Sequence, residues 1–558
     1  GGGGGGGEEE EGEREAVALR QLSAAAAAKI RSFSCLDAQK LAWALASLRA
    51  GEAGIFRAIA SHAAAYRGEL RPQGAANLAW AFATVRAASP ELLAALGEAA
   101  APARLRRFKE QELGNLAWAL AAIREAPRGL GGACLEAAEA RLAGFAPQGL
   151  AGLAWAAATL RVCRRGLLRA LSALVASRPP GLEVRHAAMV AWAFSTLRAL
   201  DAGLASSLVA VVAVGRRRGC SPQSLSNLAW ALAHAGVGDA RLLHAVAAEA
   251  LPDISAFGNQ ELSNLVWAFA RARLCDAAYA HALAREALAP PRPSLFRPQE
   301  LANLAWAFAV ASGAAARLLG GALAPEVRAK AAEFKLQELS ATAWALAKLR
   351  AEGRGFMPAI VRAAVPMVSA GSPRNICNLA WALARSRSDH PAFVQDLAER
   401  ALLKVEDFKP QELSNIAWAV ATLSARHLPL LDALAEVAVD KAACFEAGEL
   451  SALAWAFARL AAHEPRMARA LADSAAAKAE VLAPQELSSL VWAFAILGAG
   501  PGRALRAVTR AAAAALPRMP SRSLAGLAWA LAASERGGPG WRVARLLGAV
   551  AERLAGAL

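Results

Sequence analysis

Fourteen tryptophans recur at a nearly fixed interval, and that period limits what this chain can fold into. They are Trp43, Trp80, Trp118, Trp155, Trp192, Trp230, Trp267, Trp306, Trp344, Trp381, Trp418, Trp455, Trp492 and Trp529, with every interval 37, 38 or 39 residues. Only Trp541 falls outside the series. A repeat of this length is one supersecondary unit that cannot bury its apolar face alone, so neighbours must stack. A chain of 558 residues would otherwise divide into about three or four globular domains. The repeats replace that expectation with one elongated array.

Every copy opens in a similar way. Pro stands eight positions before the Trp in seven copies, Gln follows in nine, and then often Glu, as in Glu112, Glu300 and Glu486. Proline lacks the N–H that a first-turn residue leaves unpaired, and its φ is already helical, so it is expected at N1. An acid just after it favours the positive end of the helix dipole. Phe stands two residues before the Pro position in eight copies, among them Phe108, Phe257 and Phe408. That places Phe at N′ and a Leu such as Leu413 at N4, the two partners of a hydrophobic staple. Leu413, Ile416, Val420 and Leu423 then share one apolar stripe at about 100° per residue. Ala follows the Trp in all fourteen copies and allows close helix approach. Each unit continues into a second apolar helix, such as Leu428 to Ala443. The expected fold is all-α: an α-solenoid of about fourteen helix-turn-helix repeats, with a right-handed superhelix assumed.

The array is expected over residues 15–558, preceded by a low-complexity segment, residues 1–14, expected to be disordered. Glu15 to Ile30 reads as the second helix of a unit whose first helix is upstream or absent. The copy at Trp192 is the least regular, with Arg185, His186 and Met189 in place of the usual Gln, Glu and Asn. The longest interval ends at Trp306 after Pro290 to Pro293, where a local bend is expected. Trp541 to Leu558 reads as a closing helix with no separate domain after it. The chain does not begin with Met, which leaves a targeting peptide open.

Apolar residues make up 56% of the chain, yet no stretch offers about 18 uninterrupted ones, so no membrane insertion is expected. The seven Cys form no CxxC and read as thiols of a reducing compartment. The eight His are scattered, without HExxH, and neither a GxxxxGK[ST] loop nor a GxSxG elbow is present. The expectation is a non-catalytic protein with no metal, cofactor or small-molecule substrate.

Charge points to a partner. Lys and Arg number 62 against 46 acids, a net +16, and strong positive charge along an elongated protein suits a polyanion. Arg recurs six residues after the Trp in eight copies: Arg49, Arg86, Arg124, Arg161, Arg198, Arg273, Arg350 and Arg387. Such residues complement a helix C-terminus; they also form a ladder that could hold a phosphate backbone. Near the Trp in helical angle are two further positions. Three before it stands Asn in seven copies: Asn77, Asn115, Asn227, Asn264, Asn303, Asn378 and Asn415. Four after it the residue varies and is often polar: Thr84, Thr159, Thr196, His234, Arg271, Lys348, Arg385, Thr422 and Arg459 among others. A constant frame with one varying polar slot suits a modular RNA reader; varying positions are equally expected wherever a residue is simply exposed. The Trp itself is expected to wedge between adjacent units, since fourteen exposed indoles would make an aggregation-prone stripe.

The signature PQELSNLAWAFA in a two-helix unit resembles the octotricopeptide-repeat proteins. It is similar also to the helical arrays of RAP-domain and FAST-kinase-like proteins and of mitochondrial RNA-editing substrate-binding complexes. The resemblance covers about Phe33 to Leu558. It implies an organellar protein, mitochondrial or alternatively plastid, that binds RNA and governs its processing, stability, editing or translation. No segment after Trp529 resembles a RAP domain, so nuclease activity is not implied. The expected partner is single-stranded RNA, with other RNA-processing proteins as further partners. The competing reading is a protein–protein scaffold of HEAT or armadillo type, which shares the same geometry.

Overall fold

The structure is a computed structural model that describes residues 5–48, 50, 52–87, 89–123, 129–177, 181–215, 220–274, 277–311, 314–351, 355–462, 464–497, 503–534, 548 and 550. All regular structure among these residues is helical. The chain is an all-α repeat solenoid in two compact units, Gly1–Leu283 and Ala284–Leu558. The boundary falls in the long interval before Trp306, just upstream of Pro290 to Pro293.

In the first unit the Trp-bearing helices are Cys35–Ser47, Pro72–Val85, Glu110–Ile123, Pro147–Thr159, Val184–Thr196, Pro222–Ala235 and Asn259–Arg271. In the second they are Pro298–Ala311, Leu336–Lys348, Pro373–Ser386, Pro410–Thr422, Ala447–Arg459, Pro484–Leu497 and Ser521–Ser534. Within each unit every one of these first helices packs on the next. The second helices, such as Ala53–Ala65 and Leu428–Asp440, form the other layer. Gly5–Lys29 packs on Ala53–Ala65 as a second helix would. It also takes in most of the segment expected to be disordered, residues 5–14. Extending an Ala-rich helix adds one bond per residue without a new nucleus, and Glu is a good helix former. The expected closing helix from Trp541 lies outside the described residues apart from 548 and 550.

The helix entry is built as a staple with an added bond. In Pro410–Thr422, Pro410 is N1, Lys409 is the N-cap and Phe408 precedes it in extended conformation. Phe408 and Leu413 are both buried. The Glu that the sequence assigns to the dipole also reaches back to the N-cap. The N-cap N–H donates to Glu112 at 2.8 Å, to Glu300 at 2.8 Å, to Glu412 at 3.0 Å and to Glu486 at 2.8 Å. In the irregular copy His186 takes that role, accepting from the Glu183 N–H at Nδ1, 3.3 Å away.

Repeats are further tied by a cation that the sequence reading did not single out. A 3-10 turn precedes the Phe, for example Val405–Asp407, and its last carbonyls lack helical partners. Lys441, at the end of the next second helix, donates to Glu406 O and Phe408 O, both at 2.8 Å. Arg141 does the same to Phe108 O at 2.8 Å and Lys330 to Phe296 O at 2.7 Å. Lys478 binds Phe445 O and Lys404 binds Gly371 O. Each clamp ties the end of a second helix to the turn that enters the first helix of the same repeat.

Candidate nucleic-acid interface

The Trp rings form a spine along one face of the first helices. Neighbouring centroids are 5.9 Å apart for Trp118–Trp155 and 6.1 Å for Trp230–Trp267 in the first unit. In the second they are 6.0 Å for Trp344–Trp381, 6.1 Å for Trp381–Trp418 and 6.2 Å for Trp492–Trp529. Packed helix axes lie about 8–10 Å apart, so rings about 6 Å apart lean towards one another across neighbouring helices. The twelve inner rings are half-buried, whereas Trp43 and Trp529 are each 52% exposed. The expected wedge is therefore a wedge of Trp against Trp that leaves the ring edges open. A base inserted between two rungs would need two stacking intervals of about 3.4 Å, more than the spine leaves. Reading of a base would fall to the groups beside the rings.

Those groups are the ones the spacing singled out. Asn77, Asn115, Asn227, Asn264, Asn303, Asn378 and Asn415 are all half-buried on the Trp face. None of the seven side-chain amides hydrogen-bonds to a described residue. The slot four after the Trp lies against its ring. Lys348 Nζ sits 4.8 Å from the Trp344 centroid and Arg459 Cζ 5.6 Å from that of Trp455. Burial there lowers the pKa of the Lys348 ammonium. His234 stacks on Trp230 at 4.5 Å with the planes 13° apart. Arg271 and Thr196 are exposed, Arg385 is half-buried, and Arg459 also donates to Ala421 O at 3.2 Å. Thr84 bonds back to its own helix at Trp80 O, 2.8 Å away. The hydroxyls of Thr159 and Thr422 are enclosed and find no partner among the described residues.

The arginine ladder has a feature the spacing did not disclose. Arg86, Arg161, Arg198, Arg273, Arg350 and Arg387 all have positive φ, between 49° and 57°. They end their helices in left-handed conformation. Arg161 N–H donates to Ala158 O at 3.2 Å and Val162 N–H to Ala157 O at 2.9 Å, the pairing of a Schellman cap. Gly236 fills the same position after Trp230, with φ 70°, as do Ser424 and Ala461, with φ 56° and 50°. Gly at this position in the sequence, Gly236 and Gly498, was the available clue. All six guanidiniums are exposed and none pairs with a described residue. Arg49 and Arg124, the other two ladder positions, lie outside the described residues.

Among the described residues no cluster of His, Cys, Asp or Glu could hold a metal ion, and no helix is long and apolar enough to cross a membrane.

With that geometry in place, one family model matches part of the chain: RNA-editing substrate-binding complex 6 protein, over residues 373–517. That stretch spans the second-unit helices from Pro373–Ser386 to Pro484–Leu497. A comparison with curated proteins finds no match. Among solved structures, the pentatricopeptide repeat protein PPR10 from maize is 11% identical, over 98% of this chain and 99% of that one, with a TM-score of 0.25. A homology model of the full-length AP-3 complex is 10% identical, over 97% of this chain and 90% of that one, with a TM-score of 0.26.

Proposed function

We propose that this chain is a non-catalytic RNA-binding repeat protein that holds single-stranded RNA along the Trp face. The observation that carries the reading is the row of left-handed arginines. Left-handed backbone costs a non-Gly residue about 1–2 kcal/mol. A cation near a helix C-terminus gains about 0.3–1 kcal/mol. Helix stability therefore does not favour Arg over Gly at this position, yet six exposed, unpaired guanidiniums occupy it. A phosphate backbone is the partner that would use such a row. The free Asn amides beside it have donors and acceptors for base edges, and the varying slot would supply the second contact of each repeat.

The match over residues 373–517 supports a role in RNA editing or related processing, in the mitochondrion, with the plastid as the alternative. The protein would act as an adapter that presents RNA to processing proteins. The test is the affinity of the purified chain for a labelled single-stranded RNA at several salt concentrations. Log affinity should fall with log salt by about 0.7 for each phosphate neutralised. No binding at low salt would sink the reading in favour of a protein–protein scaffold.

A further inference from the structure

Three polar features of the Trp face meet at one place in the first unit. His234 is the slot residue of Pro222–Ala235. Its ring lies on Trp230, which in turn lies 6.1 Å from Trp267. Its Nδ1 is hydrogen-bonded to Ser195 Oγ at 2.9 Å. Ser195 is 1% exposed and stands in the preceding first helix, so the ring is held on two sides and Nε2 is the atom left for a ligand. Three residues beyond Ser195 comes Arg198, a left-handed ladder arginine. Arg271 is the slot residue of the following first helix, which packs directly on that of His234. Both arginines are exposed and neither has an ion pair with a described residue.

Of the other ionisable groups on the surrounding elements, Arg273 is a further exposed ladder arginine and Asp201 accepts from the Leu204 N–H at 2.8 Å. His234's own helix has no charged residue. Arg185 is paired with Glu183, and His186 serves the N-terminal cap of the preceding helix. Glu261 is in the first turn of the following helix, at the end away from Arg271. In the second-helix layer, Arg241 is paired with Asp239, His244 lies against Tyr279, and Glu249 acts on Cys220. Two guanidiniums and an imidazole thus stand on or at the end of neighbouring first helices, and the carboxylate nearest Arg198 in sequence, Asp201, is taken up by the Leu204 N–H. That is the composition of an anion site.

We propose that Arg198, His234 and Arg271 form a single phosphate-binding subsite that takes one phosphodiester group of the RNA. The inference rests on the reading of this face as an RNA surface and adds where one phosphate is fixed. Burial, Arg271 and Arg198 lower the His234 pKa, so the free ring is neutral near pH 7. A bound phosphate supplies the missing negative charge and favours the protonated ring, with Nε2–H donating to a phosphate oxygen. Binding therefore takes up a proton, and affinity rises as pH falls through the pKa of His234.

The experiment measures binding of a labelled uridine oligomer to the full chain against salt at pH 7.5 and 5.5. Wild type, His234→Gln and the double variant Arg198→Gln with Arg271→Gln are compared. The expected result is tighter binding of wild type at the lower pH and loss of that gain in His234→Gln. The double variant should lose about 0.7 from the salt slope, one phosphate's worth, because both arginines serve one group. Wild-type binding and pH response retained in both variants would overturn the subsite and leave the RNA reading standing. If no oligomer binds, the RNA reading fails. Inorganic phosphate added to wild type with 13C-labelled histidine then decides the subsite. A saturable shift of the His234 resonance, assigned by its loss in His234→Gln, upholds it; an unmoved resonance overturns it.

Discussion

Lys441 and Arg387 carry the same charge and meet opposite surroundings. Lys441 closes a second helix, and its ammonium is held by Glu406 O and Phe408 O at the entry to the first helix of its repeat. Arg387 closes a first helix in left-handed conformation, with φ 49°, and its guanidinium is exposed. Lys441 satisfies carbonyls that would otherwise be orphaned; Arg387 pairs with no described residue. The formal charge of +16 counts the two alike. Only the second kind is available to a polyanion, so a net charge overstates the binding surface wherever cations serve the backbone.

The strongest perturbations should separate the scaffold from the surface. Phe408 is 1% exposed at the joint that Lys441 clamps. Phe408→Ala should cost about 3–5 kcal/mol, the range for truncating a buried aromatic. Because each repeat touches chiefly its neighbours, hydrogen exchange should quicken around Pro410–Thr422 and leave distant repeats of the same unit unchanged. An even loosening across all helices would contradict the one-dimensional stack. Lys441→Met keeps the stem and strands two carbonyls. It should cost about 1–3 kcal/mol in urea unfolding. At a salt where wild type is half-saturated, its RNA binding should be unaltered. A fall in affinity without a fall in stability would mean that the clamps belong to the binding surface after all.

The sequence made one side of this contrast easier to see than the other. The helix entry was legible because Pro410, Phe408 and Leu413 each have a local reason for their position, and local reasons survive without tertiary contacts. The Trp period announced the stack for the same reason. The clamp was also written: a basic residue stands fourteen before the Trp in ten copies, including Lys29, Arg141, Lys330, Lys404, Lys441 and Lys478. Its purpose was hidden because its partners are backbone carbonyls about one helix pair earlier in the chain, which no side-chain pattern records. The left-handed caps were hidden differently. Arg places no mark of positive φ on the sequence, and only Gly236 and Gly498 hinted at it. Whether the Trp was core or surface turned on the roughly 6 Å spacing of the rungs, a property of neighbouring repeats that one repeat alone does not contain.

The exposed arginines offer a sharper version of the comparison. Replacing both Arg350 and Arg387 by Gly relieves left-handed strain of about 1–2 kcal/mol at each site. It also removes a dipole interaction of about 0.3–1 kcal/mol and frees the unfolded chain by about 0.4–1 kcal/mol. These terms nearly cancel, so the melting temperature should move little. RNA affinity should nevertheless fall for all sequences alike, and the salt slope should flatten by about 1.4 for two phosphates. A stable variant with an unchanged slope would remove the ladder from the interface.

The smallest expected effect tests whether the varying slot reads anything. Thr422 has an enclosed hydroxyl without a partner among the described residues, whereas Arg459 one repeat later lies over its own Trp and bonds to Ala421 O. Thr422→Arg should copy that arrangement over Trp418, at a cation–π gain of about 0.5–1 kcal/mol for a partly exposed site. Overall affinity should rise only slightly, since one added cation supplies at most one more phosphate contact. What should change is preference: a neutral hydroxyl and a guanidinium fork present different donors to a base edge. Selection from random RNA should then return a motif altered at one position and conserved elsewhere. Identical enriched motifs for wild type and Thr422→Arg would end the idea of a code at this slot. The phosphate ladder would remain, because its arginines act on the backbone whatever base stands above them.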